Sequence, residues 1–285
     1  MQHFQFYTPN SIEDALSYLA ARGERCKIIA GGTDLIPALR REDIHPEIVI
    51  NILEIEPLRG IIELDHEVRI GPTTTFTEMV ESDVLSSCFP SLVQAAGSVG
   101  GPQIRNRGTI GGNVANASPA ADVLPAVLAH DGELELQSKI SGKRVIPLAE
   151  AIESAYKTRF LADEMLTGII VKKPQPEARC AFEKLGRRNA MARARINLSI
   201  LLRLNDKEEI SELRIVPGAV MAVARRMEHV EKMLLGKKPE PSFIEAAAER
   251  LAKDMVDVTG VRWSTEYKVP VLKGMFKRIM HRLLM

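Results

Sequence analysis

The chain has 285 residues, and its 38 Lys and Arg almost balance its 37 Asp and Glu. That length suits two modest domains, and the near-zero charge gives no reason to expect a nucleic-acid or anionic-membrane partner. No apolar run reaches the roughly 18 residues of a membrane span. The opening MQHFQFYTPN has no basic segment leading into an apolar core, so no signal peptide is expected. Cys26, Cys88 and Cys180 stand singly, without C-x-x-C spacing. They read as reduced thiols of a cytoplasmic protein, and they are too few for an iron–sulfur cluster, which usually takes four thiolates.

In chain order, SIEDALSYLAARG predicts a helix with Ser11 as N-cap and a stop at Gly23. CKIIA is a short β-rich run, DLIPALRRED the next helix and EIVINI a further strand, so 1–55 alternates as a small α/β unit does. IIELDHEVRIGPTTTF reads as a hairpin-like pair with a Gly-Pro break, followed by helical stretches at 76–86 and near 90–97. The segment GPQIRNRGTIGGNVANASPAADVLPAVLAH is dense in small residues. Its glycine pair is expected in a strand-to-helix turn, with Ser118 as N-cap and Pro119 at the first helical position. GELELQS, KRVIP and MLTGIIV supply strands, and the Pro-interrupted 172–178 reads as a linker. Beyond it come two strand candidates, CAFEKLG and INLSILLRL, and a helical tail built from MEHVEKMLLG, PSFIEAAAERLAKDM and VPVLKGMFKRIMHRLLM.

Two glycine pairs, in AGGTDL at 30–35 and TIGGN at 109–113, use one device twice. A Gly-Gly turn reaches positive φ and lets its amides approach a ligand closely; before a helix it presents unpaired donors to a phosphate. Thr33 and Thr109 stand beside those donors. Either pair alone is equally well a tight turn. GGTDLI is not G-x-G-x-x-G, and no G-K-[ST] occurs, so dinucleotide-fold and P-loop readings are weak.

The stretches KIIAGGTDLIPALR, GPQIRNRGTIGGNVANASPAADVLPAVLA, FEKLGRRNAMARARINLSI and RWSTEYKVPVL together resemble the FAD-binding medium subunit of molybdenum hydroxylases, the xanthine dehydrogenase and carbon monoxide dehydrogenase family. The resemblance runs over essentially the whole chain. It implies an α+β protein: a two-subdomain FAD-binding domain of the vanillyl-alcohol-oxidase-like (PCMH) type over 1–175, divided near 55, then a smaller C-terminal domain over 176–285. That second domain is expected to hold a three-stranded antiparallel sheet with helices.

By the same resemblance both glycine turns face one FAD pyrophosphate. Ile28, Ile29, Ala30, Gly31, Gly32, Thr33, Asp34 and Leu35 would wrap the pyrophosphate and adenosine side, and Thr109, Gly111, Gly112 and Asn113 would form the second clamp. Asn116, Ser118 and Asp122 fall where the family places polar contacts along the ribityl chain and diphosphate. Leu166 matches a position beside a ring, and Lys184 one that brings positive charge to the flavin's edge. The ordinary alternatives are a helix-start acid worth about 0.3–1 kcal/mol for Asp122, a plain N-cap for Ser118, core packing for Leu166 and an exposed strand lysine for Lys184. Arg187 and Arg188 are expected to brace a domain or subunit contact. The chain departs from the family pattern at Arg193, where many relatives carry Asp or Ile-Ser, and in PGAVMAVARRMEH, which lacks a Pro the family often shows.

The implied activity is that of a flavin module with non-covalent FAD and no catalytic side chain or metal of its own. It would receive electrons from [2Fe–2S] clusters on a small subunit, beside a molybdopterin-binding large subunit, and pass them to NAD or another acceptor. The RWSTEYKVPVL tail leans toward xanthine dehydrogenase, hence a purine or other N-heterocycle. Two other readings stay open: a self-sufficient FAD oxidase or dehydrogenase with the flavin tethered to a His, and an assembly subunit that has lost FAD.

Overall fold

The computed structural model describes residues 3–188 and 191–285; Asn189 and Ala190 of the FEKLGRRNAMARARINLSI stretch lie outside them. Strand β1 (Gln5–Tyr7) leads to helix α1 (Ile12–Arg22), whose ends are those the sequence predicts. Ser11 Oγ accepts the Asp14 amide at 3.1 Å, and Gly23 turns the chain at φ 54°. Next come β2 (Cys26–Ile29), α2 (Leu35–Arg40) and β3 (Ile48–Asn51). β3 lies between β1 and β2 in a parallel sheet. Ala15, Leu16 and Leu19 of α1 cover it together with Ile48 and Ile50.

A larger lobe follows. β4 (Ile61–Glu63) and β5 (Glu67–Ile70) form the expected hairpin. The helical stretch at 76–86 divides into α3 (Phe76–Glu81) and α4 (Asp83–Cys88), because Ser82 is extended and caps the second helix through the Leu85 amide. α5 (Pro90–Gly97), α6 (Pro102–Arg105), α7 (Ile110–Asn116) and α8 (Val123–Ala129) complete the helical layer. β6 (Glu133–Ser138), β7 (Gly142–Pro147), the short α9 (Leu148–Ala151), the small hairpin of β8 (Ile152–Ser154) and β9 (Lys157–Thr158), and β10 (Glu164–Lys172) close the lobe. Its antiparallel sheet has the order β4-β5-β10-β6-β7, and its core joins Val68, Leu134, Leu136 and Ile169 to Phe89 and Leu92 of the helices.

The placement of the second glycine pair differs from expectation. Gly111 and Gly112 occupy the first turn of α7, capped by Thr109, whose Oγ accepts the Gly112 amide at 3.1 Å. Ser118 and Pro119 start no helix; α8 begins at Val123 after Asp122. Ala117 ends α7 in the left-handed region at φ 46°, which turns the small-residue run away from the helix axis before Ser118.

The remaining third is β11 (Arg179–Leu185), β12 (Ile196–Leu204), β13 (Ile210–Gly218), α10 (Glu228–Leu234), α11 (Pro241–Thr259) and α12 (Thr265–Leu284). The three strands form an antiparallel sheet with β12 central. β13 escapes the sequence reading because Pro217 and Gly218 look like a break; on an edge strand they are tolerated. α12 starts before the expected VPVL, with Pro270 inside it. One face of the sheet buries Ile196, Leu198 and Ile200 with Met275, Phe276 and Ile279. Its other face meets α5 and α8 of the flanking lobe.

His130, at the end of α8, is buried in that seam. Its Nε2 lies 3.0 Å from Ser91 Oγ, Phe89 meets the ring edge-on, and Nδ1 has no partner among the described residues. Burial, aided by the Arg214 charge, pushes its pKa from 6.5 down to about 3. The folded protein therefore refuses a proton that the unfolded chain accepts. This contribution is complete above pH 6.5 and is lost as pH falls toward 3. Chemical unfolding measured across that window should show stability falling by up to about 1.4 kcal/mol per pH unit from this group, and His130→Gln should flatten the slope.

Candidate functional site

β2 ends at Ile29, and the chain then turns through Gly31 and Gly32 into α2. Gly32 sits at φ 73°, where a side chain is strained. The backbone amides of Gly31, Gly32, Thr33, Asp34 and Leu35 make no hydrogen bond among the described residues. Five successive unpaired donors on one bend, several half-buried, suit an anion. Ile29 and Leu35 pack beneath with Ile36, Leu39 and Val49, so the bend rests on an apolar base. Ile28 and Ala30 pack on the other side, against the α1 core.

The other glycine loop meets this one directly. A Cβ at Gly31 would overlap the carbonyl of Arg107, two residues before Thr109. The main chains of the two lobes thus touch where side chains are absent. Thr75 and Thr109 pair across a single β-bridge, which ties the second loop to the start of α3.

The second loop spends its amides internally. Ile110 donates to Thr74, Gly111 to Pro72 at 2.9 Å, Gly112 to the Thr109 hydroxyl and Asn113 to the Thr109 carbonyl at 3.0 Å. A Cβ at Gly111 would overlap Pro72, whereas Gly112 is exposed and meets only its own capping hydroxyl. Asn113 presents the opposite case, a buried Oδ1 without a partner among the described residues. This loop therefore offers a bare glycine surface and an unpaired carbonyl, not a second row of free amides.

Asp122 and Lys184 are brought together. Lys184 Nζ lies 2.5 Å from Asp122 Oδ2 and donates also to the Ser98 carbonyl at 2.9 Å. Only 11% of the lysine side chain and 7% of the aspartate are exposed, which removes the exposed-strand alternative for Lys184. Asn197 Nδ2 donates to Asp122 Oδ1 and to the Ala121 carbonyl, both at 3.1 Å. Burial pushes the Asp122 carboxyl up from its ordinary value, and the Lys184 charge and these hydrogen bonds pull against that rise. Leu166 is buried on β10 opposite Leu136, next to a bulge. Asn116 is half-buried at the end of α7.

Ser118 Oγ accepts the Ala120 amide and lies 3.4 Å from the Tyr156 hydroxyl. Tyr156 escapes the sequence reading. It sits at the tip of the β8–β9 hairpin with φ 61°, a conformation uncommon for a ring-bearing residue. Its hydroxyl also receives Arg193 at 3.2 Å. The Ser118 bond pulls its pKa below the ordinary value, with Arg193 adding to that and burial and the Asp34 charge opposing. Asp34, Ser118 and Arg193 thus converge on Tyr156, the four residues coming from four separate stretches of chain. An odd conformation at a hairpin tip leaves no mark in the sequence.

Residues 2–174 match the family model described as the FAD binding domain in molybdopterin dehydrogenase, and 180–283 match the CO dehydrogenase flavoprotein C-terminal domain. The chain is an FAD-binding medium subunit of the molybdenum hydroxylase family. This medium subunit is 31% identical over 281 residues to the 6-hydroxypseudooxynicotine dehydrogenase complex subunit alpha of Paenarthrobacter nicotinovorans, covering 99% of this chain and 94% of that one. It is 30% identical to the putative xanthine dehydrogenase FAD-binding subunit of Escherichia coli (strain K12), covering 96% and 94%. It superposes with a TM-score of 0.91 on a chain of carbon monoxide dehydrogenase from Hydrogenophaga pseudoflava, at 28% identity and covering 98% and 96%. The medium subunit is thus an oxidoreductase subunit of α+β fold with an FAD-binding domain and a C-terminal three-stranded antiparallel sheet with helices. Among its described residues no helix is long and apolar enough to cross a membrane, and no group of His, Cys, Asp and Glu is arranged to hold a metal.

The free amides at 31–35 and the unpaired Asn113 Oδ1 are groups that an FAD diphosphate and its polar chain would satisfy, so the residues present fit the cofactor. A separate test concerns the seam. Lys184→Met leaves the Asp122 carboxylate buried without its counter-charge and should cost about 3–5 kcal/mol in urea unfolding. Asp122→Leu combined with Lys184→Met should recover most of that loss.

Proposed function

We propose that this medium subunit binds FAD non-covalently between its two glycine loops and relays electrons within a xanthine dehydrogenase-like complex. In that reading a small subunit supplies [2Fe–2S] clusters, a large subunit supplies molybdopterin, and NAD takes the electrons. The observation that carries it is the bend of five unpaired amides, Gly31 to Leu35, pressed against the second loop at Arg107. FAD, when bound, supplies exchange of single electrons and of hydride, and the protein's part is to hold and orient it.

Each residue then has a task. Ile28 to Leu35 receive the diphosphate and adenosine side, with Ile29 and Leu35 keeping the bend in shape. Thr109 caps α7, Gly111 lets that helix close on Pro72, Gly112 leaves room for the ligand, and Asn113 turns its free carbonyl toward it. Asn116 and Ser118 serve the polar chain. Lys184, held in place by Asp122, aims its ammonium dipole toward the flavin's edge, and Leu166 is the apolar wall.

Non-covalent binding is supported by the histidines. None lies in either glycine loop, and His130 is buried against Ser91 and Phe89. Three free thiols support a cytoplasmic setting, and the division into 1–175 and 176–285 follows the gap between the two matched segments. For the substrate, the RWSTEYKVPVL tail and the xanthine dehydrogenase relative favour a purine or related N-heterocycle.

The test is anaerobic flavin spectroscopy on the full chain. FAD should be retained through gel filtration, and NADH should bleach its absorbance as dithionite does. Gly31→Val should abolish retention, because its side chain overlaps the Arg107 carbonyl. Bleaching by dithionite without any by NADH contradicts NAD as acceptor. Absence of retained flavin in the unaltered chain contradicts the FAD assignment itself.

A further inference from the structure

The three cysteines of the chain are not alike. Cys26 is buried with α1 in the core of the small α/β unit. Cys88 and Cys180 are half-buried, and both line one cavity of about 420 Å³. Its walls come from the end of α4, the start of β11 and the linker between them in space, 173–178. None of the residues given to the flavin lines it. Of the eleven residues that do, two are cysteines, one from each matched segment of the chain.

Local structure holds the two sulfurs near each other. Cys88 is the last residue of α4, its Sγ 3.6 Å from Ser87 Oγ. Phe89 and Pro90 turn the chain into α5, and Ser91 donates its amide to Cys180 Sγ at 3.4 Å. The Cys180 sulfur therefore rests on the residue three places after Cys88, a stretch that reaches at most about 11 Å even when extended. Further along, the Phe182 amide donates to Gln94 Oε1 at 2.7 Å, which fixes β11 against α5. The two thiols are unequal. Lys173 also lines the cavity, its ammonium near enough to the Cys88 sulfur to interact with its charge, and a cation beside a thiol assists nucleophilic attack. Burial pushes the Cys180 thiol up, with the Ser91 hydrogen bonds pulling the other way. Cys88 is thus suited to attack first and Cys180 second, its negative sulfur steadied by the Ser91 amide when it forms. A metal is the poorer occupant, because no third His, Cys, Asp or Glu is grouped with them among the described residues.

We propose that Cys88 and Cys180 are a dithiol pair that a low-molecular-weight disulfide oxidises inside this cavity. The Cys88 thiolate attacks one sulfur of that disulfide, its S–S bond breaks, and the first thiol leaves from a mixed disulfide on Cys88. The Cys180 thiolate then attacks the Cys88 sulfur, expels the second thiol and closes a bond between α4 and β11. The pair gives up two electrons and two protons, and the small disulfide becomes two thiols. In a reducing compartment such a bond is transient and reports the redox state. Its mechanical effect follows from the strand. Cys180, Phe182 and Lys184 alternate onto the face of β11 that meets Ser91, the helical core and Asp122, so the bond fixes the strand that carries Lys184. Any consequence for the flavin rests on the reading above; the pair itself stands without it.

The test uses the full chain, reduced, freed of reductant without oxygen and incubated with oxidised glutathione. Thiols are counted after denaturation, and peptides are mapped by mass. The count should fall from three to one, with a Cys88–Cys180 link inside one chain, Cys26 free, and full reversal by dithiothreitol. Cys180→Ser should stop at glutathione on Cys88. Cys88→Ser should slow the reaction of Cys180 by about tenfold or more. Should either variant fail to fold, the map of the unaltered chain decides alone. An unchanged thiol count, glutathione on both cysteines without a link, a link to Cys26 or a link between two chains overturns the proposal. Flavin absorbance read in the same samples separates the two readings. A chain that closes the bond but retains no FAD overturns the flavin assignment and supports this one.

Discussion

The arrangement depends on a contact between two main chains where no side chain intervenes. Gly31 approaches the Arg107 carbonyl so closely that a methyl group at that position would overlap it. Through that approach a small parallel α/β unit and a larger antiparallel lobe meet main chain to main chain. Any residue with a Cβ would open the seam, and the amides of 31–35 would then face solvent on both sides. The second glycine pair answers to the same geometry from the other side: Gly111 lets α7 close on Pro72 and so sets where the Arg107–Thr109 turn lies.

The C-terminal third is held to this frame by charge as well as by packing. Lys184 on β11 and Asn197 on β12 converge on Asp122, while Asp131, just past α8, is met by Arg214 of β13 and by Arg226. Breaking such partly buried pairs one side at a time is costly, so the sheet is fixed on the flavin-binding lobe at two points along α8. The rest of the seam is apolar, with α5 and α8 on one face of the sheet.

Local signals were legible in the sequence wherever local physics decides structure. α1 starts and stops at its predicted caps because Ser11 and Gly23 act within a single turn, and β12 spans the apolar run INLSILLRL. The glycine pair at 31–32 reads correctly as the bend after a strand. The pair at 111–112 does not, because Thr109 caps the helix two residues earlier and the glycines serve a tertiary contact with Pro72. The pairing of Asp122 with Lys184 was beyond reach as well, since it spans 62 residues and two domains. Tyr156 was invisible for a similar reason, its place being set by a hairpin-tip conformation and by partners from distant stretches.

On the function proposed above, the bend of amides holds a diphosphate and not the flavin ring. Calorimetric titration of the full chain with FAD and, separately, with riboflavin, which has the same ring and no phosphate, tests it most directly. Tight uptake of FAD with riboflavin weaker by several orders of magnitude is the predicted result. Comparable affinities for the two would contradict it.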